Sequence, residues 1–299
     1  MIIEKHFDYH WDEGLGMICI TGLSDFDLKQ TLECGQCFRW TREKDGSYTG
    51  VALSRVINVS QDEAGVYIKN TTLQDFADLW IDYFDLYRDY GKIKMVLGAG
   101  DPIMEKAISY GSGIRLLKQD EWEILISFLI SQNSNIPRIR KCIDSICRSF
   151  GQPIQTYKGE LYYAFPTPLS LADCTKDEIG CCRLGYRETY IVKTAKRVLL
   201  DEARNLYNAK NLTRNEAEKY LLSLSGVGPK VANCILLFAM GFYESFPIDV
   251  WMKRVMNQLY GYNEKHTGAM THFAADQFGE LSGFAQQYLF YYVREKSEE

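Results

Sequence analysis

The hydrophobic period of this chain changes once, near Thr72, and that change limits its architecture more than any other feature. Before it, the segments CFRWTR, SYTGVAL, RVINVS and GVYIKN fall within residues 37–70. They are short, rich in β-branched and aromatic residues, and separated by the turn signals KDG and DEAG, the pattern of a β meander. After it, LQDFADLWIDYFDLY carries apolar residues at i, i+3 and i+4, as one face of an amphipathic helix does. Beyond Asp101 the helical pattern recurs at 102–110, 120–134, 137–149, 187–206, 214–224, 230–241, 250–260 and 284–295. The proline-containing stretch GQPIQTYKGELYYAFPTPLS (151–170) reads as a connecting loop. Strands first and helices afterwards predict an α+β fold, an N-terminal antiparallel β-sheet domain followed by a mainly helical domain. The expected division is 1–100 for the sheet with flanking helices and 101–299 for the helical part.

Composition narrows the function. The chain has 299 residues, 46% of them apolar, enough for a packed core. No run of about 18 apolar residues points to a membrane span, and the acidic first thirty residues do not resemble a secretory leader. Nine cysteines without a regular framework predict reduced thiols in an intracellular protein, in the cytoplasm or nucleoid of a prokaryote or the nucleus of a eukaryote. Cys34 and Cys37 form a lone C-x2-C that no second pair or nearby histidine completes, so packing is the favoured reading over metal binding. The net charge of −5 gives no global support to nucleic-acid binding. It is uneven, however: residues 133–158 hold five basic side chains against one acidic, and 183–210 hold seven against three. On composition alone these are two solvated helix faces, but an anionic partner can dock on them.

NEAEKYLLSLSGVGPKVANCILLFAM reads as helix, turn, helix, with the hairpin at about 214–242. Gly226 and Gly228 permit backbone angles closed to other residues and a close approach to the main chain, and Pro229 suits a first helical position. Such a turn presents free amides at a helix start, an anion site. From spacing alone a plain helix–helix connection explains it equally well. Lys230 stands in the first turn of the second helix, where a cation is slightly disfavoured. In FPIDVW, Asp249 takes the place of a helix N-cap, and an ordinary cap is a sufficient reading of it.

LSGVGPKVANCILLFAMGFYESFPIDV resembles the helix-hairpin-helix, Gly/Pro-rich loop and aspartate signature of the base-excision DNA glycosylases. More closely, the chain resembles the human-type branch of 8-oxoguanine DNA glycosylases. LECGQCFRW, ISFLISQNSNIPRI, LGYRETY and GFAQQYLFYY are similar to further family segments in the same order.

The resemblance implies a bifunctional enzyme: an N-glycosylase that flips 8-oxoguanine out of double-stranded DNA, opposite cytosine, and a lyase that nicks the strand by β-elimination. Lys230 would be the nucleophile that forms a Schiff base, and Asp249 would stabilise positive charge on the sugar. Phe290 would stack on the flipped purine and Gln286 would read its Watson–Crick edge; without the family they read as a core aromatic and a surface amide. Gly35 would offer its carbonyl to N7–H, which 8-oxoguanine has and guanine lacks; otherwise it is a turn. Cys234 would lie beside the base, as a thiolate paired with the lysine or as a small core residue. Asn133, Arg138, Tyr186 and Arg187 would meet the opposite strand, and the amides of Gly226, Val227 and Gly228 a phosphate. Trp251 departs from the family, which has a histidine there. No catalytic metal or cofactor is implied beyond a structural monovalent cation on the hairpin carbonyls, and no membrane or protein partner; the chain is expected to act as a monomer. The remaining alternatives are an alkylpurine or other oxidised-base glycosylase of the same superfamily, or a non-enzymatic helix-hairpin-helix DNA-binding protein. Iron–sulfur relatives carry four cysteines near the C-terminus, and this chain has none after Cys234.

Overall fold

The computed structural model describes residues 7–201 and 206–296. Of the charged stretch 183–210 and the expected helix 187–206, residues 202–205 lie outside the described ones, including Glu202 and Arg204. The N-terminal part is a six-stranded antiparallel sheet of β1 (Asp8–Asp12), β2 (Met17–Thr21), β3 (Trp40–Arg42), β4 (Tyr48–Ala52), β5 (Arg55–Gln61) and β6 (Val66–Lys69), in the order β1-β2-β6-β5-β4-β3. The short helix α1 (Leu28–Glu33) interrupts it, capped by the Asp27 side chain on the Gln30 amide. The meander appears as expected. The β1–β2 hairpin is an addition: four of the five residues of β2 are buried, so it lacks the alternation that marks a half-exposed strand.

The stretch after Thr72 is helical but not one helix: α2 (Leu73–Asp75) and α3 (Ile81–Tyr83) flank a π-helical segment, Phe76–Trp80, that buries both its aromatic ends. There follow α4 (Tyr90–Gly98), α5 (Pro102–Tyr110), α6 (Glu121–Ser131) and α7 (Ile136–Phe150). Next come the hairpin β7 (Pro153–Tyr157) and β8 (Glu160–Tyr163), then α8 (Pro168–Ala172), α9 (Lys176–Gly180) and α10 (Arg187–Leu200). The helical part ends with α11 (Arg214–Leu222), α12 (Pro229–Phe238), α13 (Val250–Tyr260), α14 (Thr267–Phe278) and α15 (Ser282–Lys296). The loop expected over 151–170 therefore contains a small hairpin. Its two-residue turn, Lys158–Gly159, has positive φ at both positions, which closes two antiparallel strands tightly. Helix starts follow their caps: Asp101 receives the amides of Ile103 and Met104 ahead of Pro102, and Asn135 receives that of Arg138.

Two apolar cores result. One lies under the sheet around Ile57, Phe76 and Trp80; the other fills the helical part around Leu125, Leu236 and Leu289. Helix α4, inside the expected 1–100 unit, packs with the helical core, and so do Cys34 and Phe38 from the loop after α1. That loop is thereby built into the helical part. Among the described residues no helix is long and apolar enough to cross a membrane.

Candidate active site

The hairpin forms because α11 begins in a capping box, Thr213 with Glu216, and runs out at Leu222 just before the glycines. Gly226 has φ +80°, and a Cβ there would lie 2.5 Å from the Tyr190 ring, so both angle and packing demand glycine. Gly228 caps α12 with no side chain of its own and has open space around it. The Val227 amide differs from expectation: it donates to the Leu224 carbonyl at 3.2 Å, and the Val227 side chain is buried. The turn therefore already uses one of the three amides expected to meet a phosphate.

Lys230 and Asp249 line one cavity of about 350 Å³, with Cys234, Gly35, Gln286 and Phe290 on its walls. The Lys230 Nζ stands 4.8 Å from the centre of the Phe128 ring, a cation–π contact. Lys230 and Asp249 are not among the described ion pairs. Asp249 is held instead as the N-cap of α13, its carboxylate accepting from the Met252 amide at 2.8 Å. The cap fixes one oxygen and leaves the other directed by a rigid backbone. Burial pushes the Cys234 thiol up to about 11, with Lys230 pulling it down and Asp249 raising it further. Burial thus favours the neutral thiol, the small core residue of the two readings.

The Gly35 loop is clamped from several sides. Gln287 Nε2 donates to the Cys34 carbonyl at 2.7 Å, Arg294 Nη2 to the Glu33 carbonyl at 2.7 Å, and Gln119 Nε2 to the Gln36 carbonyl at 2.9 Å. Every carbonyl from Glu33 to Gln36 except that of Gly35 receives a side-chain donor. Gly35 itself has φ +89°, and a Cβ on it would sit 3.4 Å from the Phe290 ring. Gln286, Phe290 and Arg294 follow one another at i, i+4 and i+8 along α15, which puts them on one face. Two polar atoms of this wall, Gln286 Oε1 and Arg294 Nη1, are buried without a hydrogen-bond partner. Arg294, Gln287 and Gln119 were not anticipated from the sequence; the i, i+4, i+8 spacing was a usable signal for Arg294.

The loop between α6 and α7 borders the same cavity through Ser134 and Asn135. Asn133 is exposed at φ +47°, an angle asparagine tolerates, and donates to the Tyr186 hydroxyl at 3.2 Å. Arg138 is exposed as expected of a contact residue, and Tyr186 is half exposed. Arg187 departs from the expectation of a free base reader. It is buried, with Nε on the Gln132 carbonyl at 2.9 Å, Nη2 on that of Asn133 at 3.1 Å and Nη1 on that of Leu184 at 3.1 Å. Its guanidinium also lies 4.6 Å from the Tyr186 ring centre. The reason is local: a loop turning through Asn133 leaves carbonyls facing inward, and a five-donor fork satisfies them. Gln132, unanticipated, joins this loop to the hairpin through the Gly226 carbonyl at 3.1 Å. Trp251 lines the same cavity and is partly exposed, and the Arg254 guanidinium lies 5.2 Å from its ring centre.

A sheet domain locked onto a helical bundle, with a glycine hairpin bringing one lysine and one aspartate into a single cavity, defines a base-excision architecture. Residues 19–125 match the 8-oxoguanine DNA glycosylase N-terminal domain, and residues 126–279 match the HhH-GPD superfamily of base excision DNA repair proteins. The chain belongs to the HhH-GPD superfamily and carries the N-terminal domain of its 8-oxoguanine DNA glycosylase branch. It is 31% identical to an N-glycosylase/DNA lyase of Saccharomyces cerevisiae over 259 residues, covering 79% of this chain and 69% of that one. It is 29% identical to the N-glycosylase/DNA lyase OGG1 of Arabidopsis thaliana, covering 89% and 77%. The 8-oxoguanine glycosylase/lyase of Clostridium acetobutylicum, in complex with double-stranded DNA containing cytosine opposite 8-oxoguanine, superposes with a TM-score of 0.93 at 42% identity, covering 98% and 99%.

Proposed function

We propose that this protein is a bifunctional DNA glycosylase and lyase that removes 8-oxoguanine from duplex DNA opposite cytosine and then nicks the strand. The observation that carries the reading is the convergence of Gly35, Lys230, Asp249, Gln286 and Phe290, from four separate segments of the chain, on one cavity. The damaged nucleotide is turned out of the stack into that cavity, since a base within a duplex is out of reach of a side chain. Phe290 stacks on it, Gln286 meets its Watson–Crick edge, and the Gly35 carbonyl accepts N7–H. Guanine presents a lone pair at N7 and is repelled by the same oxygen. The Lys230 amine attacks C1′ as the bond to N9 breaks, and the base leaves with that electron pair. Asp249 faces the positive charge that develops on the sugar, held ready by its cap, so little reorganisation is needed. The C1′–O4′ bond of the resulting aminal then opens, the proton lost by nitrogen passing to O4′, which gives the Schiff base; loss of a proton from its C2′ expels the 3′ phosphate.

The exposed Asn133, Arg138 and Tyr186 take the gap and the widowed base, with Arg187 holding their loop. The amides of Gly226 and Gly228 and the Trp251 indole face the backbone of the lesion strand. A structural monovalent cation on the hairpin fits the carbonyls there: those of Ser225 and Gly226 each accept one protein hydrogen bond, at 3.1 Å in both cases, and each oxygen has a second lone pair. Borohydride reduction on an 8-oxoguanine:cytosine duplex tests the reading. The parent protein is expected to form a covalent adduct, and Lys230→Gln to form none while losing at least about 10⁴-fold in excision, as expected when a nucleophile is removed. Unchanged release of the base by that variant refutes it.

A further inference from the structure

Arg294 has an arrangement that the reaction as described does not use. Its side chain is more than nine-tenths buried. Nε and Nη2 are bonded, to the Glu295 carboxylate at 3.2 and 2.7 Å and, from Nη2, to the Glu33 carbonyl at 2.7 Å. Nη1 has no partner, although it is buried. Arg294 lines the lesion cavity, and its Nη1 stands 3.4 Å from where a Cβ on Gly35 would be. A buried guanidinium nitrogen left without an acceptor is costly unless something arrives to satisfy it.

Resting on the glycosylase reading, we infer that Arg294 is a specificity residue whose Nη1 donates to the C8 oxygen of the flipped purine. The placement follows from α15. Gln286, Phe290 and Arg294 occupy three successive turns of one face, about 12 Å from end to end at 1.5 Å per residue. A purine stacked on the middle ring with its Watson–Crick edge at Gln286 turns its imidazole edge towards Arg294. On that edge 8-oxoguanine offers N7–H, a donor, next to C8=O, an acceptor. The protein offers the complement in the same order: the Gly35 carbonyl, unclaimed by any side chain, next to the Arg294 N–H. Guanine has a lone pair at N7 and only C–H at C8, so it fails both contacts at once. The two readers are also mechanically linked, because Nη2 of the same guanidinium holds the Glu33 carbonyl two residues before Gly35.

The test combines kinetics with a complex. In Arg294→Met, which keeps the aliphatic stem, excision of 8-oxoguanine should fall roughly tenfold to hundredfold, the range for losing a charge-assisted hydrogen bond. Borohydride trapping on an abasic duplex, which has no base to read, should stay within about twofold of the parent. A crystal structure of the parent on a duplex with a non-cleavable 2′-fluoro 8-oxoguanosine should place Nη1 within about 3.2 Å of O8. Excision by Arg294→Met at the parent rate overturns the inference. So does an equal fall in abasic trapping, which marks a structural loss, or an Nη1 to O8 separation beyond about 4 Å. A parent protein that releases no 8-oxoguanine defeats the glycosylase reading instead.

Discussion

The lesion cavity and the opposite-strand cluster flank the same glycine hairpin, yet they prepare for DNA in different ways. The cavity is built into the cores. Its residues come from the loop after α1, from α6, the start of α7 and the loop between them, and from α12, α13 and α15, and its key groups are fixed by bonds that leave a functional atom free: the capped Asp249 carboxylate, the Gly35 carbonyl, Nη1 of Arg294. The cluster is exposed except for Arg187, and its bonds are made within the protein. Asn133 is bonded to Tyr186, and Arg187 to the Gln132 and Asn133 carbonyls of the loop between α6 and α7. Chemistry on a sugar needs charges that are already placed when the barrier is crossed. Gripping an intact strand needs only that protein–protein bonds exchange for protein–DNA bonds, at little net cost. Removal of the base therefore depends on rigid parts, and recognition of its former partner on parts that rearrange.

The sharpest way to break the comparison is Asp249→Asn. Asparagine keeps the cap on Met252 and removes the charge. Excision should fall by about 10²–10³-fold, as when one stabilising group is withdrawn from a transition state, while the melting temperature hardly moves. A variant that melts early with near-parental rate would make Asp249 a cap and nothing more. Arg187→Met should show the opposite signature. Removing a buried fork from three carbonyls should cost about 1–3 kcal/mol of stability and relax the preference for cytosine across from the lesion. Trapping on abasic DNA should remain, measured at a temperature where the variant is folded. The smallest effect concerns Cys234. Its folded value, about 11, lies above its ordinary value near 9, so the fold favours the protonated thiol. That contribution is intact below pH 9 and is lost as pH rises through 11. Thermal melts of the parent and Cys234→Ala from pH 7 to 12 should show the parent's advantage shrinking across that window.

The hairpin and the Asp249 cap were legible because backbone geometry dictates them locally, and the role of Lys230 was legible through the family. Only glycine fits beside Tyr190 at φ +80°, and only a short acceptor caps α13. Phe290 and Gln286 were legible through the family and the helical period. The β1–β2 and β7–β8 hairpins were not, since one strand is buried on both faces and the other pair hides among prolines. Arg187 was assigned to the opposite strand through the family segment LGYRETY, and no periodicity shows that the loop between α6 and α7 turns its carbonyls towards it.

The sequence by itself determined the order of sheet and helices, the glycine elbow, and the aspartate that caps the helix after it. Those follow from interactions within a few residues: hydrophobic period, capping, and permitted φ. The tertiary structure alone decided which atoms near the lesion remain unpaired. The Gly35 carbonyl and Arg294 Nη1 are about 260 residues apart in the chain, and each is free only because the neighbouring donors and acceptors found partners elsewhere. Hydrogen-bond satisfaction is a property of the whole packed interior, and no local pattern of residues encodes it.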